Sequence, residues 1–174
     1  MRGLIGVALL IVVSACAPEP TTPGCNLQAT QTVAFTGTEA ADTIVAESQG
    51  AACDKAIGLF VVRTAEGYPI WSWSAPLSHR FGDVFPAEDT EHMETFLETW
   101  AQPLVTTTQA APEWNSLAPP QTTLDQLTYN DVRARDLPML CHFSGTARQT
   151  CVFWEPAAGG AGHLFDRDAE ETEE

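Results

Sequence analysis

Four side chains in a short stretch have the types that serine hydrolases combine in a catalytic triad. Ser72 and Ser74 lie in the run YPIWSWS, and His79 and Asp83 follow it. A triad needs a serine whose hydroxyl an imidazole deprotonates and a carboxylate that orients the imidazole, and it is defined by geometry rather than by sequence order. The alternative is that His79 is an ordinary loop histidine that follows a strand and has no catalytic role. A small hydrolase that depends on His79 or His92 is therefore kept as an alternative function.

Asp89 and His92 lie three residues apart in a segment with helical periodicity, so both could face one metal ion. His79, His142 or His163 could complete such a site, and imidazole with carboxylate suits zinc or manganese. However, the same segment is rich in carboxylates, and no second pair of closely spaced ligands accompanies it. The zinc motif HExxH, the nucleophile motif GxSxG and the glycine-rich phosphate loops do not occur in the sequence. We therefore predict no metal, no cofactor and no assigned catalytic residue.

Trp71 and Trp73 are two residues apart on a predicted strand, so their side chains project from the same face. Such a pair could form an aromatic shelf that stacks on a sugar ring or another flat ligand. More often such tryptophans fill the core, here beneath the helix predicted at residues 90–101, because large aromatic side chains dominate core burial. Trp71 and Trp73 are the candidate ligand-binding residues.

Short runs rich in β-branched and aromatic residues predict the strands that must position these side chains. They are QTVAFTG, DTIVAES, a hairpin of AIGLFVVR and YPIWSWS around Gly67, and a second hairpin of PMLCHF and TCVFWEP. Met93, Phe96, Leu97 and Trp100 recur at helical spacing after a cap near Asp89 or Thr90. A second helix is predicted from Thr123, with Leu124, Leu127 and Val132, to a point before Pro138. The predicted fold class is α+β, with an antiparallel sheet of about five or six strands and two helices packed on one face.

Four cysteines lie in the predicted domain, and they allow three pairings into two disulfides. Cys141 and Cys151 lie symmetrically about the turn of the second predicted hairpin. This placement favours a bridge between those two strands and leaves Cys25 to pair with Cys53. Because no pair has the CxxC spacing of redox or zinc sites, a structural role is expected.

The first sixteen residues have the pattern of an export signal. Residues 4–13 form an unbroken apolar run, too short to cross a bilayer, with Arg2 before it and the small residues Ser14 and Ala15 after it. Val13, Ser14, Ala15 and Cys16 resemble the lipobox of bacterial lipoproteins. The resemblance implies a signal peptide over residues 1–15, a diacylglycerol on the Cys16 sulfur and a further acyl chain such as palmitate on its amino group, which together anchor a protein stably. Ala17, the residue directly after the lipobox cysteine, favours an outer-membrane rather than an inner-membrane location.

The proline- and threonine-rich residues 16–24 predict a flexible lipidated tether, residues 25–165 a single α+β domain, and residues 166–174 a disordered acidic tail.

The net charge of −15 opposes nucleic-acid binding and favours basic partners. The segment CDKAIGLFVVRTAEGYPIWSWSAP also resembles small proteobacterial envelope lipoproteins, a resemblance that implies no particular activity.

The predicted function is that of a lipid-anchored binding or accessory module of the bacterial cell envelope, on the periplasmic face of the outer membrane. Its expected partners are the membrane and an envelope protein or a basic protein. Inhibition of a basic enzyme such as lysozyme is the second alternative, because acidic charge and a crosslinked domain suit that role.

Overall fold

The computed structural model describes residues 24–168 and contains two antiparallel sheets of four strands each. In both sheets the strands are neighbours in chain order. The first sheet contains β1 (Leu27–Val33), β2 (Asp42–Gln49), β3 (Ile57–Arg63) and β4 (Pro69–Pro76). The second contains β5 (Leu104–Thr107), β6 (Pro138–Gly145), β7 (Arg148–Glu155) and β8 (Gly160–Asp168). The helices are α1 (Leu77–Phe81), α2 (Thr90–Trp100) and α3 (Gln126–Ala134). Short 3-10 turns lie at Cys53–Lys55, Thr108–Ala110 and Trp114–Ser116.

The inner face of the first sheet is covered by two different elements. Ile44 and Ala46 of β2 pair with Val62 and Phe60 of β3, and all four side chains are fully buried. Helix α2 packs over β1 and β2, whereas Leu140 and other residues of the second sheet join the same core cluster. The large core therefore lies between the sheets and under α2.

The second sheet is buried on both faces. Met139 of β6 and Phe165 of β8 face away from the first sheet and pack with Tyr129 and Val132 of α3 in a second core cluster. Leu140, on the opposite face of β6, packs toward the first sheet. Burial on both faces explains why PMLC is a continuous apolar run although the sheet is antiparallel.

Both predicted hairpins and both predicted disulfides are present. Gly67, in the turn between β3 and β4, has φ of +90°, the conformation that glycine adopts without steric cost. Cys141 and Cys151 are directly opposite across β6 and β7 and form one bridge. The other bridge joins Cys25 to Cys53 and ties the entry of β1 to the connection between β2 and β3.

The prediction of one sheet of five or six strands with two helices on one face was wrong. Residues 24–168 form eight strands in two sheets, and α2 and α3 pack on different sheets. Strands β5 and β8 were not predicted because neither is a clear run of β-branched and aromatic residues. Strand β5 has only four residues directly after Pro103, and β8 begins in a glycine-rich segment. Gly162 of β8 is required by packing, since a Cβ there would lie 2.9 Å from the ring of Phe153.

The predicted helices differ in detail from the observed ones. Met93, Leu97 and Trp100 of α2 are buried as their spacing predicts, and the Asp89 side chain caps this helix. In α3, by contrast, Leu127 is 82% exposed and Tyr129 is buried in its place.

The predicted signal peptide over residues 1–15, Cys16 and nearly all of the tether at 16–24 lie outside the described residues. At the other end β8 runs to Asp168, so residues 166–168 belong to a strand and only 169–174 of the predicted tail are not described. No helix between residues 24 and 168 has the length and apolar character needed to cross a bilayer.

Candidate functional site

Strand β4 directs the two candidate tryptophans into the space between the sheets. Trp71 pairs with Val62 and Trp73 with Phe60, so both lie on the inner face of the first sheet. The Trp73 ring contacts Trp100 edge-on, with 5.5 Å between their centroids. Both tryptophans are half-buried and pack against the main core, so they contribute to the joint between the sheets.

His142 of β6 occupies the centre of this joint and is 1% exposed. Its ring stacks on Phe60 at 4.3 Å between centroids. The Trp71 indole N–H donates to Nε2 at 3.2 Å, which makes Nε2 an acceptor. Nδ1 therefore carries the proton and donates to the Phe143 carbonyl at 3.0 Å. Burial lowers the pKa of His142 to about 4, because a charged imidazole would lose its hydration there. His142 is a neutral structural histidine.

A second polar cluster joins strands β6, β7 and β8. The Thr150 hydroxyl lies 2.7 Å from Asp166 Oδ1 and 2.9 Å from the Ser144 hydroxyl. Arg148 pairs with Asp166 at 2.8 Å, and His163 Nε2 lies 3.4 Å from its Oδ1. Burial raises the pKa of Asp166, but hydrogen bonds from Thr150 and Arg148 outweigh it and leave that pKa below its usual value. The carboxylate is thus kept ionised and fully partnered.

This cluster contains Ser, His and Asp but does not have the geometry of a triad. In a triad the imidazole lies between the serine and the carboxylate. Here Ser144 reaches Asp166 through Thr150, and His163 binds the carboxylate separately. The arrangement links three strands and leaves no base in contact with the serine.

The triad suggested by sequence is not assembled either. Ser72 and Ser74 are exposed and alternate with the inward-facing tryptophans, while His79 lies on α1 and Asp83 follows it. Among residues 24–168, no hydrogen bond or ion pair joins His79 to any of the other three. These four side chains are close in sequence but are not organised around one reacting atom.

The metal site considered at Asp89 and His92 is organised as a helix cap. Asp89 Oδ1 accepts a hydrogen bond from the His92 backbone N–H at 2.9 Å, and the His92 ring lies beside Phe85. His142 is in the core and His163 is paired with Asp166, so neither faces His92. Within the described chain no group of three or more His, Cys, Asp or Glu side chains could hold a metal ion.

A groove of about 460 Å³ lies between β1 and α2. Residues 27–31 form one wall, and Glu94, Glu98 and Gln102 line the other. We call it the β1–α2 groove. Its lining offers amide, hydroxyl and carboxylate groups and contains no basic side chain. Such a lining suits recognition of a polar, positively charged ligand.

A smaller groove of about 270 Å³ lies where α1, α2 and β6 meet. Phe81, Phe96 and Trp100 form its floor, and Val84 and Phe143 stand at its rim, 52% and 38% exposed. It offers mainly apolar contact, so few groups there would orient a polar ligand.

Comparison with known proteins does not indicate a function for this chain, so a function is proposed below from the geometry of the site. No protein-family model matches the chain, and neither a curated protein nor a solved structure matches it.

The β1–α2 groove was not found from the sequence. In the sequence Glu94 and Glu98 are simply two carboxylates of an acidic helical segment, and the first predicted strand is QTVAFTG, residues 31–37, rather than Leu27–Val33. The available signal was that LQATQTV is an uncharged strand sequence without proline, which is unusual for a strand at an edge.

Proposed function

We propose that this chain is a lipid-anchored binding or accessory module of the bacterial cell envelope, exposed to the periplasm. The Val13-Ser14-Ala15-Cys16 sequence supports the anchor. The pair of disulfides supports export, because such bonds persist in oxidising compartments and are rare in the cytosol.

The observation that carries the binding role is the contrast between the polar clusters and the β1–α2 groove. His142 and Asp166 are held by neighbouring side chains and join strands together. Glu94 and Glu98, in contrast, line the β1–α2 groove without an ion-pair partner among the described residues. These two carboxylates are therefore available to recognise a ligand in that groove.

Inhibition of a basic enzyme such as lysozyme is a second candidate, and the acidic lining of the groove favours it. The net charge of −15 would accelerate encounter with a cationic protein. Titration with lysozyme at increasing salt concentrations tests this candidate. Inhibition that weakens as salt rises is expected for it, and unchanged lysozyme activity at saturating protein concentration would exclude it.

Membrane fractionation of the tagged chain, with Cys16→Ala as the matched variant, tests the anchor. The wild-type chain should be released from membranes only by detergent and should begin at a lipid-modified Cys16. The variant should lose that modification. A wild-type chain that is recovered without detergent and unmodified at Cys16 would contradict the proposal.

A further inference from the structure

Strand β1 has an open edge. It is the first strand in the order of its sheet, and between residues 24 and 168 no strand pairs with its outer side. The Cys25 N–H donates to the Gly50 carbonyl at 2.8 Å and the Leu27 N–H to Ser48 Oγ at 3.3 Å, so odd-numbered residues bond toward β2. Because antiparallel bonding alternates, Gln28, Thr30 and Thr32 direct their backbone N–H and C=O groups outward.

The other three sheet edges carry features that discourage added strands. Strand β4 begins and ends with Pro69 and Pro76, and its pairing with β3 is interrupted by a bulge. Strand β5 has only four residues, directly after Pro103. Strand β8 also contains a bulge and ends with Arg167 and Asp168. These are the usual protections of edge strands. Strand β1 has seven residues and regular register, with no proline and no charge.

The β1–α2 groove runs along this open edge. Residues 27–31 of the strand and Glu94 and Glu98 of α2 line it together. The two glutamates are four residues apart, so they are separated by about 6 Å along the helix. Alternate side chains of an extended strand are separated by about 6.8 Å. A strand added to β1 would therefore present successive inward side chains to successive carboxylates.

We propose that β1 binds an extended segment of a partner protein by strand addition, and that this segment carries lysine or arginine at alternate positions. The proposal deepens the binding function proposed above and rests on it. Backbone bonds to the outward groups of β1 provide affinity, and the carboxylates of α2 select basic side chains. A second copy of this chain fits less well, because its own β1 has no basic residue and it would add two more glutamates to a charge of −15 per chain.

The test uses two eight-residue peptides of identical composition with the detergent-purified full chain. One alternates threonine and lysine, and the other has four threonines followed by four lysines. Fluorescence anisotropy with labelled peptides gives both dissociation constants. The wild-type chain should bind the alternating peptide about threefold to fivefold more tightly, since both peptides can pair their backbones but the other peptide can place only two of its four lysines on the groove side.

Two sets of variants separate the backbone contribution from the charge contribution. Thr30→Pro removes an outward N–H and should abolish the preference, whereas Thr30→Val keeps that N–H and should retain it. Glu94→Gln with Glu98→Gln should weaken binding about fivefold, the effect of two exposed ion pairs. Glu66→Gln with Glu113→Gln removes the same charge at exposed sites outside the groove and should have little effect.

Equal affinity for the two peptides, or a preference that survives Thr30→Pro in a folded protein, would overturn strand addition. Wild-type self-association that Thr30→Pro abolishes, without peptide binding, would identify a second copy as the occupant and overturn the proposal. A partner that binds Thr30→Pro and wild type equally at the membrane would leave the accessory function standing while this inference fails. Loss of lipid anchoring would instead refute the proposed envelope function whatever the peptides do.

Discussion

Acidification between pH 6.5 and pH 4 should destabilise the fold through His142. In the unfolded chain this histidine takes up a proton near its ordinary pKa of 6.5, whereas in the folded protein burial lowers the pKa to about 4. Between those values protons bind preferentially to the unfolded chain. The stabilisation is therefore complete above pH 6.5 and is lost as the pH falls toward 4.

The size of this effect follows from the two pKa values. Each tenfold difference in proton affinity is worth about 1.4 kcal/mol, so the full contribution of His142 is about 3 kcal/mol. Relative to pH 7, the free energy of unfolding should fall by about 1 kcal/mol at pH 5.5 and by about 2 kcal/mol at pH 4.5. Asp166 is the charged group that acts on His142, and its attraction already opposes the effect of burial. Burial would raise the pKa of Asp166, but the hydrogen bonds from Thr150 and Arg148 hold it below its usual value, so this carboxylate stays ionised while His142 titrates.

Urea unfolding at pH 7, 5.5 and 4.5, followed by tryptophan fluorescence, measures the change. His142→Gln is the matched variant, because an amide can accept from the Trp71 indole and donate to the Phe143 carbonyl but does not titrate. The wild-type protein should lose about 2 kcal/mol more stability over this range than the variant. Parallel losses in the two proteins would refute the account of His142 as a neutral buried side chain.

Three further variants test a close contact in the core, a disulfide and a helix cap. Gly58→Ala should lower the free energy of unfolding by about 1 to 3 kcal/mol, because its Cβ would collide with the Leu77 side chain; thermal melting should show no comparable loss for Gly37→Ala, where no atom lies within 4 Å. Replacing Cys25 and Cys53 together by alanine should cost about 3 to 4 kcal/mol for a sequence separation of 28, and a urea midpoint unchanged from wild type would show that the bridge contributes nothing. Asp125→Ala should cost about 1 kcal/mol by removing the cap on the Thr128 N–H, with Asp168→Asn as a surface control that should be neutral in the same melts.

The parts of the fold that the sequence predicts are those encoded by local patterns. Gly67 marks the β3–β4 turn, and Met93, Leu97 and Trp100 mark the buried face of α2. The Cys141–Cys151 bridge follows from the symmetry of one hairpin. Each of these signals lies within a few residues of the structure it specifies.

The parts that the sequence did not predict depend on contacts between distant segments. Strand β8 has glycine where an apolar alternation would be expected, because the Phe153 ring of the neighbouring strand fills the space at Gly162. The structural role of His142 depends on the packing of β6 against Trp71, which the sequence around His142 does not encode. The assignment of α2 and α3 to separate sheets likewise depends on which strands pair over long range.

The β1–α2 groove was not predicted for the same reason, because it is formed by two segments that are distant in the sequence. Glu94 and Glu98 are exposed helix positions, and β1 is an ordinary uncharged strand. Their significance comes from α2 lying along β1, which among residues 24–168 is the one edge strand of more than four residues without a proline, a bulge or a charge.

Recovery of the tagged native chain from detergent-solubilised membranes, followed by native mass spectrometry, tests the lipid anchor and the partner protein together. We expect a chain that begins at lipidated Cys16 and is bound to a partner protein in fixed stoichiometry, with a basic extended segment in that partner. An unlipidated chain recovered alone, at concentrations where the complex should persist, would contradict this expectation.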